Sequence, residues 1–256
     1  MSTLHSKSDA PLWQKYKHGH HWRSQSEEFD GIKLGFWLFL ATEILLFGGI
    51  FCAYAIFRAM YPGAWLEGSQ SLDWRWGSIN TVILLLSSYT AATAVFCAQT
   101  DRQKRLQINL LITIICGGIF VAIKFLFEYT PKWSGYFFVL DPSFASHAAE
   151  LTGNKAFFGL FQEVAGYGGK RPGELFGYPF ATDPNIGLWW GIYYSGTALH
   201  ALHVLVGMAL LARVLVKSFK QTYGPTYYTG VEIAALYWHL VDLIWIFLFP
   251  MLYLIH

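Results

Sequence analysis

VEIAALYWHLVDLIWIFLFPMLYLI, residues 231–255, is the stretch that decides the fold. A helix needs roughly 20 apolar residues to cross a bilayer core about 30 Å thick, and this run exceeds that length. Its acidic and imidazole side chains are Glu232, His239 and Asp242. Four further runs of similar character lie near residues 34–57, 78–99, 106–128 and 187–213. Lipid offers the backbone no hydrogen-bond partners, so a spanning segment is either a helix or a strand of a closed barrel, and these runs are too long for barrel strands. The sequence therefore reads as all-α, a polytopic transmembrane bundle of about five helices. Residues 1–33 form a polar N-terminal tail, residues 34–256 the membrane domain, and residues 129–186 a long outer loop within it.

Composition agrees with that solvent. Of the chain, 54% is hydrophobic and only 13% charged, too apolar a balance for an ordinary soluble domain. The formal net charge is +2 with no basic face interleaved with aromatics, so nucleic acid is not an expected partner. Cys52, Cys97 and Cys116 sit inside apolar runs with no CxxC or CxxCH spacing, and read as small packing residues. The polar N-terminus lacks the layout of a cleavable signal, so the first apolar run is expected to remain as a helix.

Orientation follows from the cations. Lys7, Lys15, Lys17 and Arg23, then Arg102, Lys104 and Arg105, then Arg213, Lys217 and Lys220 fall on one side of the five spans. The opposite side has only Arg58 and Arg75 in its first loop, while Lys132, Lys155, Lys170 and Arg171 belong to a loop long enough to translocate regardless of charge. The N-terminus is expected in the cytoplasm and the C-terminus outside. In the outer loop, YGGKRPGE and ATDPN are turn-rich, and FFGLFQEV is expected to form a short surface helix. A loop of this length covers a neighbour or has structure of its own.

Ionisable side chains at membrane depth cost a few kcal/mol each, so function is sought there. Glu232, His239 and Asp242 fall on one stripe of the last helix; Gly196, His200, His203 and Gly207 fall on one stripe of the fourth. A polar seam between the two helices would satisfy both sets. It reads first as interhelical hydrogen bonding that fixes packing, and second as a metal, haem or proton-relay site. No HExxH or Glu-x-x-His repeat accompanies it, which speaks against membrane di-iron chemistry.

Glu43 lies mid-helix on a stripe with Phe36, Phe39, Phe47, Ile50 and Tyr54. It reads either as a proton-active or lipid-contacting acid, or as a protonated carboxyl bonded to a neighbouring helix. Glu128 and Lys124 form an i, i+4 pair near the outer interface, where snorkelling would relieve both charges. Trp37, Trp74, Trp76, Trp189 and Trp190 fall near helix ends, as an interfacial belt requires. His18, His20 and His21 belong to a solvated tail.

Five stretches, in order, carry a resemblance. They are ATEILLFGGIFCAY around Glu43, INTVILLLSSYTA in the second helix, FEYTPKW around Glu128, SGTALHALHVLVG with His200 and His203, and EIAALYWHLVDLIWIFLF with Glu232, His239 and Asp242. Together they are similar to the signature stretches of subunit III of the haem-copper respiratory oxidases, over residues 34 to 255. The resemblance implies an accessory subunit that itself holds no haem, copper or other metal. It would dock on a catalytic subunit I and a subunit II that carry the haem and copper, bind phospholipid in a cleft, and help proton uptake. It implies a bacterial cytoplasmic (inner) membrane location, cytochrome c as electron donor, and structural, lipid-cleft or proton-related roles for Glu43, Glu128, His200, His203, Glu232, His239 and Asp242. Alternatives are a quinol oxidase, a nitric oxide reductase accessory subunit or a stand-alone transporter. Many family members have seven helices, whereas this chain looks like the five-helix form. Its outer loop is larger than the family's, which would suit an unusual supercomplex.

Overall fold

The computed structural model describes residues 11–134, 136–138, 151–156, 160–164 and 183–255. Its helices are α1 Gln25–Met60, α2 Pro62–Gln70, α3 Trp74–Gln99, α4 Gln103–Ile123, α5 Thr130–Ser134, α6 Ile186–Phe219 and α7 Thr229–Tyr253. A π-helical turn, Lys124–Tyr129, joins α4 to α5. Five helical segments are long and apolar enough to cross a membrane: α1, α3, the run Gln103–Lys132, α6 and α7. The fold is thus the expected all-α transmembrane bundle.

Local chemistry sets the helix ends. The Ser24 hydroxyl accepts from the Glu27 amide at 3.1 Å, and the Glu27 carboxylate accepts from the Arg23 amide at 2.8 Å. This reciprocal cap starts α1 at Gln25, ahead of the apolar run. Pro62 opens α2 at a position where its missing N–H costs nothing. Asp101 and Gln221, with φ of 55° and 51°, turn the chain left-handed after α3 and α6, and the Arg102 amide then closes on the Cys97 carbonyl at 2.9 Å.

The polypeptide forms two compact units, and each of the five long helices gives a segment to both. Unit 1 contains residues 1–46, 84–117 and 202–243. Its interior is built from small and aliphatic side chains, among them Ala91, Ala94, Ala98, Leu106 and Leu110, around the buried Trp238. Gly117 and Gly207 make room for that indole; a Cβ on either would come within 3 Å of its ring. At one end, Trp13 lies on Gly224 and Tyr16 stacks on Tyr227 with ring centroids 3.8 Å apart, strapping the N-terminal segment over the α6–α7 turn. Burial and the hydrogen bond from its hydroxyl to Glu28 raise the Tyr16 phenol above its ordinary value.

Unit 2 contains residues 47–83, 118–201 and 244–256, and its interior is aromatic: Trp65, Phe120, Trp189, Tyr193, Trp245 and Tyr253 are all essentially inaccessible. Trp189 and Trp190, expected in an interfacial belt, are buried here instead. The reason is α2, whose Gly68 lies directly under Trp189, so that a Cβ there would sit 2.2 Å from the indole. Trp37 and Trp74 do remain exposed.

The outer loop carries a small antiparallel sheet of order β1-β3-β2, with β1 Tyr136–Phe138, β2 Leu151–Ala156 and β3 Phe161–Val164. Phe161 pairs with Phe138 on one side and Ala156 on the other. The helix expected for FFGLFQEV is therefore corrected: Phe161–Val164 is a central strand, and residues 157–159 of that run lie outside the described residues. Short apolar runs do not distinguish helix from strand by periodicity, and here partners on both edges decide the matter.

Candidate functional site

The intramembrane polar groups of unit 1 come from α1, α3, α6 and α7. Glu43 on α1 meets His203 on α6, Oε2 to Nε2, at 2.8 Å, with side chains 16% and 11% exposed. The Tyr237 ring of α7 lies alongside the His203 ring, centroids 6.4 Å apart and planes 18° off parallel. Glu232 of α7 pairs with Lys33 of α1 at 2.6 Å. Seven residues on, about 10 Å further along the helix, His239 Nδ1 lies 2.6 Å from the Ser88 hydroxyl of α3. Beside that contact the Trp238 indole donates to Ser87 Oγ at 2.9 Å, and the Thr90 and Thr113 hydroxyls meet at 2.7 Å. Asp242 is 3% exposed, and neither of its carboxyl oxygens has a direct hydrogen-bond partner among the described residues.

Unit 2 holds a second, denser group. Glu128 Oε2 accepts from Lys124 Nζ at 2.6 Å, from the Tyr193 hydroxyl at 2.7 Å and from the Tyr253 hydroxyl. Lys124 Nζ also donates to Tyr253 and lies 4.6 Å from the centre of the Trp245 ring. Both charged side chains are almost completely enclosed, at 4% and 2% exposure. The expectation that this pair snorkels to the interface is therefore corrected. Tyrosine hydroxyls and aromatic faces solvate the charges inside the unit, and the π-helical turn that carries both residues marks a local departure from regular helix at that point. His200 of α6 sits nearby in an aromatic setting, edge-on to Phe120 at 5.5 Å and tilted against Trp245 at 5.3 Å.

The seam expected between α6 and α7 is thus divided. His203 and Glu232 each meet α1, His239 meets α3, and His200 faces Phe120 and Trp245. Helical spacing places these residues on common stripes, but each side chain pairs with whichever helix is near at its own depth. Lys33, Ser88, Tyr193 and Tyr253 completed these groups and were missed. Ser88 carried a signal, as a hydroxyl pair in the otherwise apolar ILLLSSYT run. Tyr193 and Tyr253 did not stand out among 15 tyrosines. Among the described residues no group of three or more His, Cys, Asp or Glu side chains is placed to hold a metal ion. The groups that meet at these places are acids, imidazoles, hydroxyls and one buried amine.

A family model described as cytochrome c oxidase subunit III matches residues 14–160 and 179–256. Cytochrome c oxidase subunit 3 of Synechocystis sp. is 30% identical over 239 residues, covering 93% of this chain and 79% of the relative. The probable quinol oxidase subunit 3 of Staphylococcus aureus strain USA300 is 24% identical over 232 residues, covering 91% of this chain and 92% of the relative. Residues 161–178, which include β3, fall between the two matched parts.

Proposed function

The chain belongs to the cytochrome c oxidase subunit III family, and from that membership we propose that it is an accessory, non-redox subunit of a proton-pumping terminal oxidase that reduces oxygen to water. The observation that carries the reading is the extent of the match, which takes in every membrane-length helix of this integral membrane protein. In this reading the chain docks on a catalytic subunit I and on subunit II. Those subunits carry haem and copper; this chain holds neither. It sits in the bacterial cytoplasmic membrane with its N-terminus inside, in keeping with the three cation clusters on one side of its spans. A larger respiratory supercomplex is a further partner, served by the outer loop.

Within the chain, the partly open Glu43–His203 pair is the lipid-cleft element: an acid–imidazole pair at membrane depth beside exposed apolar positions Ile44, Leu45 and Leu202. Glu128 with Lys124 fixes unit 2, His200 and Glu232 serve packing, and His239 with Asp242 is proton-related. Quinol as the electron donor is the second reading, favoured by the probable quinol oxidase subunits 3 of Staphylococcus aureus, which align over 92% of their own length.

The test is oxygen uptake by membranes with and without this chain, using reduced cytochrome c and then quinol as donor. Removal is expected to leave the initial rate and haem content in place and to shorten the life of the enzyme under turnover. An unchanged decay of activity with either donor would refute the supporting role.

A further inference from the structure

We propose that the end of unit 1 where α3 turns into α4 and α6 turns into α7 is a binding surface for the anionic headgroups of phospholipids. Six cations lie there: Arg102, Lys104 and Arg105 from the α3–α4 turn, and Arg213, Lys217 and Lys220 from the end of α6. All six are exposed, and none forms an ion pair with another described residue. Asp101 is the one acid within residues 99–107 and 213–225, and it accepts from Gln103 Nε2 at 2.7 Å.

Like charges repel, so their convergence needs contacts that hold it. Gln103 Nε2 donates to the Tyr223 carbonyl at 2.7 Å, and Gln107 Nε2, one turn further along α4, donates to the Ser218 carbonyl at 3.3 Å. Lys104 follows Gln103 and Lys217 precedes Ser218, so cations of both helices flank this joint. The N-terminal segment brings two more. The Trp13 amide donates to the carbonyl of Gln221, next to Lys220, and Tyr16, stacked on Tyr227, stands between the exposed Lys15 and Lys17. A bias of cations to one side of a membrane needs only their number. Here three separate segments are bonded together so that their cations share one place.

Depth and surroundings select the ligand. The six cations stand at the ends of membrane-length helices, where the hydrocarbon core gives way to headgroups. Next to them the surface is apolar: Ile108 one turn on from Lys104, Val216 one turn before Lys220, and Phe96, whose ring centre lies 5.8 Å from the Arg102 guanidinium carbon, are all exposed. A lipid phosphate can accept from the lysines and arginines while its acyl chains lie on these side chains, a combination that a soluble anion cannot use. The Glu43–His203 pair, midway along α1, lies too deep to meet a headgroup. Such contacts depend on insertion in a membrane and not on an oxidase partner; only the assignment of this end to the cytoplasmic leaflet rests on the orientation proposed above.

Photolabelling of the full chain in nanodiscs of mixed phosphatidylcholine and phosphatidylglycerol tests it. Either lipid carries a diazirine near its headgroup, and cross-linked peptides are identified by mass spectrometry. At the start of α4 and the end of α6, phosphatidylglycerol is expected to label at least about fivefold more than phosphatidylcholine, the ratio equivalent to about 1 kcal/mol for one Lys or Arg near an anionic surface. In about 1 M salt, where the screening length is about 3 Å, the preference falls away. Neutralising Lys104, Arg105, Lys217 and Lys220 together to Gln removes most of it, whereas Arg58→Gln with Arg75→Gln leaves it in place. Should the quadruple variant not fold, the salt dependence of the unaltered chain decides alone. Equal labelling by the two lipids in the unaltered chain, a preference that survives high salt, or one that the quadruple variant keeps overturns the proposal. None of these results touches the accessory-subunit reading, which fails only if the chain has no oxidase partner.

Discussion

Replacing Glu128 by Gln removes the carboxylate that faces Lys124 but keeps an oxygen that Tyr193 and Tyr253 can still bond. What remains is a cation enclosed among Trp245, Tyr193 and Tyr253 without its counter-ion. Breaking a buried pair from one side costs about 3–5 kcal/mol. An upper limit follows from neutralising the amine instead, since an ordinary lysine gives up its proton at pH 7 for about 5 kcal/mol. Two routes thus agree on a loss of several kcal/mol, enough to remove much of a domain's net stability. Removing both partners, as Lys124→Met with Glu128→Met, leaves no orphan charge, and such a replacement is neutral or stabilising by about 1–4 kcal/mol. The assay is denaturant or thermal unfolding in detergent followed by tryptophan fluorescence. The order expected is Glu128→Gln far below the unaltered chain and the double variant near or above it. A Glu128→Gln protein that unfolds within about 1 kcal/mol of the unaltered chain would refute the enclosure of this pair, because that is the value of a solvated surface pair.

Three further outcomes are expected. Gly68→Ala places a Cβ against the Trp189 indole and should cost about 1–3 kcal/mol, read as a lowered unfolding temperature, while Gly191→Ala, whose Cβ meets nothing within 4 Å, should leave it unchanged. Ser24→Ala removes the cap of α1 and should cost about 1 kcal/mol, seen as faster amide hydrogen exchange confined to the first turn after Gln25. Glu43→Gln keeps a hydrogen bond to His203, whereas Glu43→Leu removes that bond; only the second should lower the phospholipid retained through purification, measured by lipid mass spectrometry.

The five spans were legible because membrane thickness converts directly into a run length, and nothing about tertiary contact is needed to count apolar residues. The start of α1 was misplaced for the same reason: counting hydrophobicity located the apolar run and passed over Ser24 and Glu27, whose capping spacing was in plain view. The Lys124–Glu128 contact followed from i, i+4 geometry, but its depth depended on Tyr193, Trp245 and Tyr253, which arrive from helices far along the chain. A stripe shows that His200 and His203 are close on one helix. It does not show that one will face Glu43 and the other Phe120 and Trp245, because a rotation of tens of degrees changes the neighbouring helix. The strand at Phe161–Val164 lay beyond reach for a related reason, its conformation being fixed by two partner strands and not by its own four residues.

Gentle-detergent purification of this chain from native membranes, followed by a visible spectrum and metal analysis of what accompanies it, tests the central claim most directly. The account predicts a larger partner carrying haem and copper, with oxygen consumption driven by cytochrome c or quinol. Recovery of this chain alone, colourless and inactive, would contradict it.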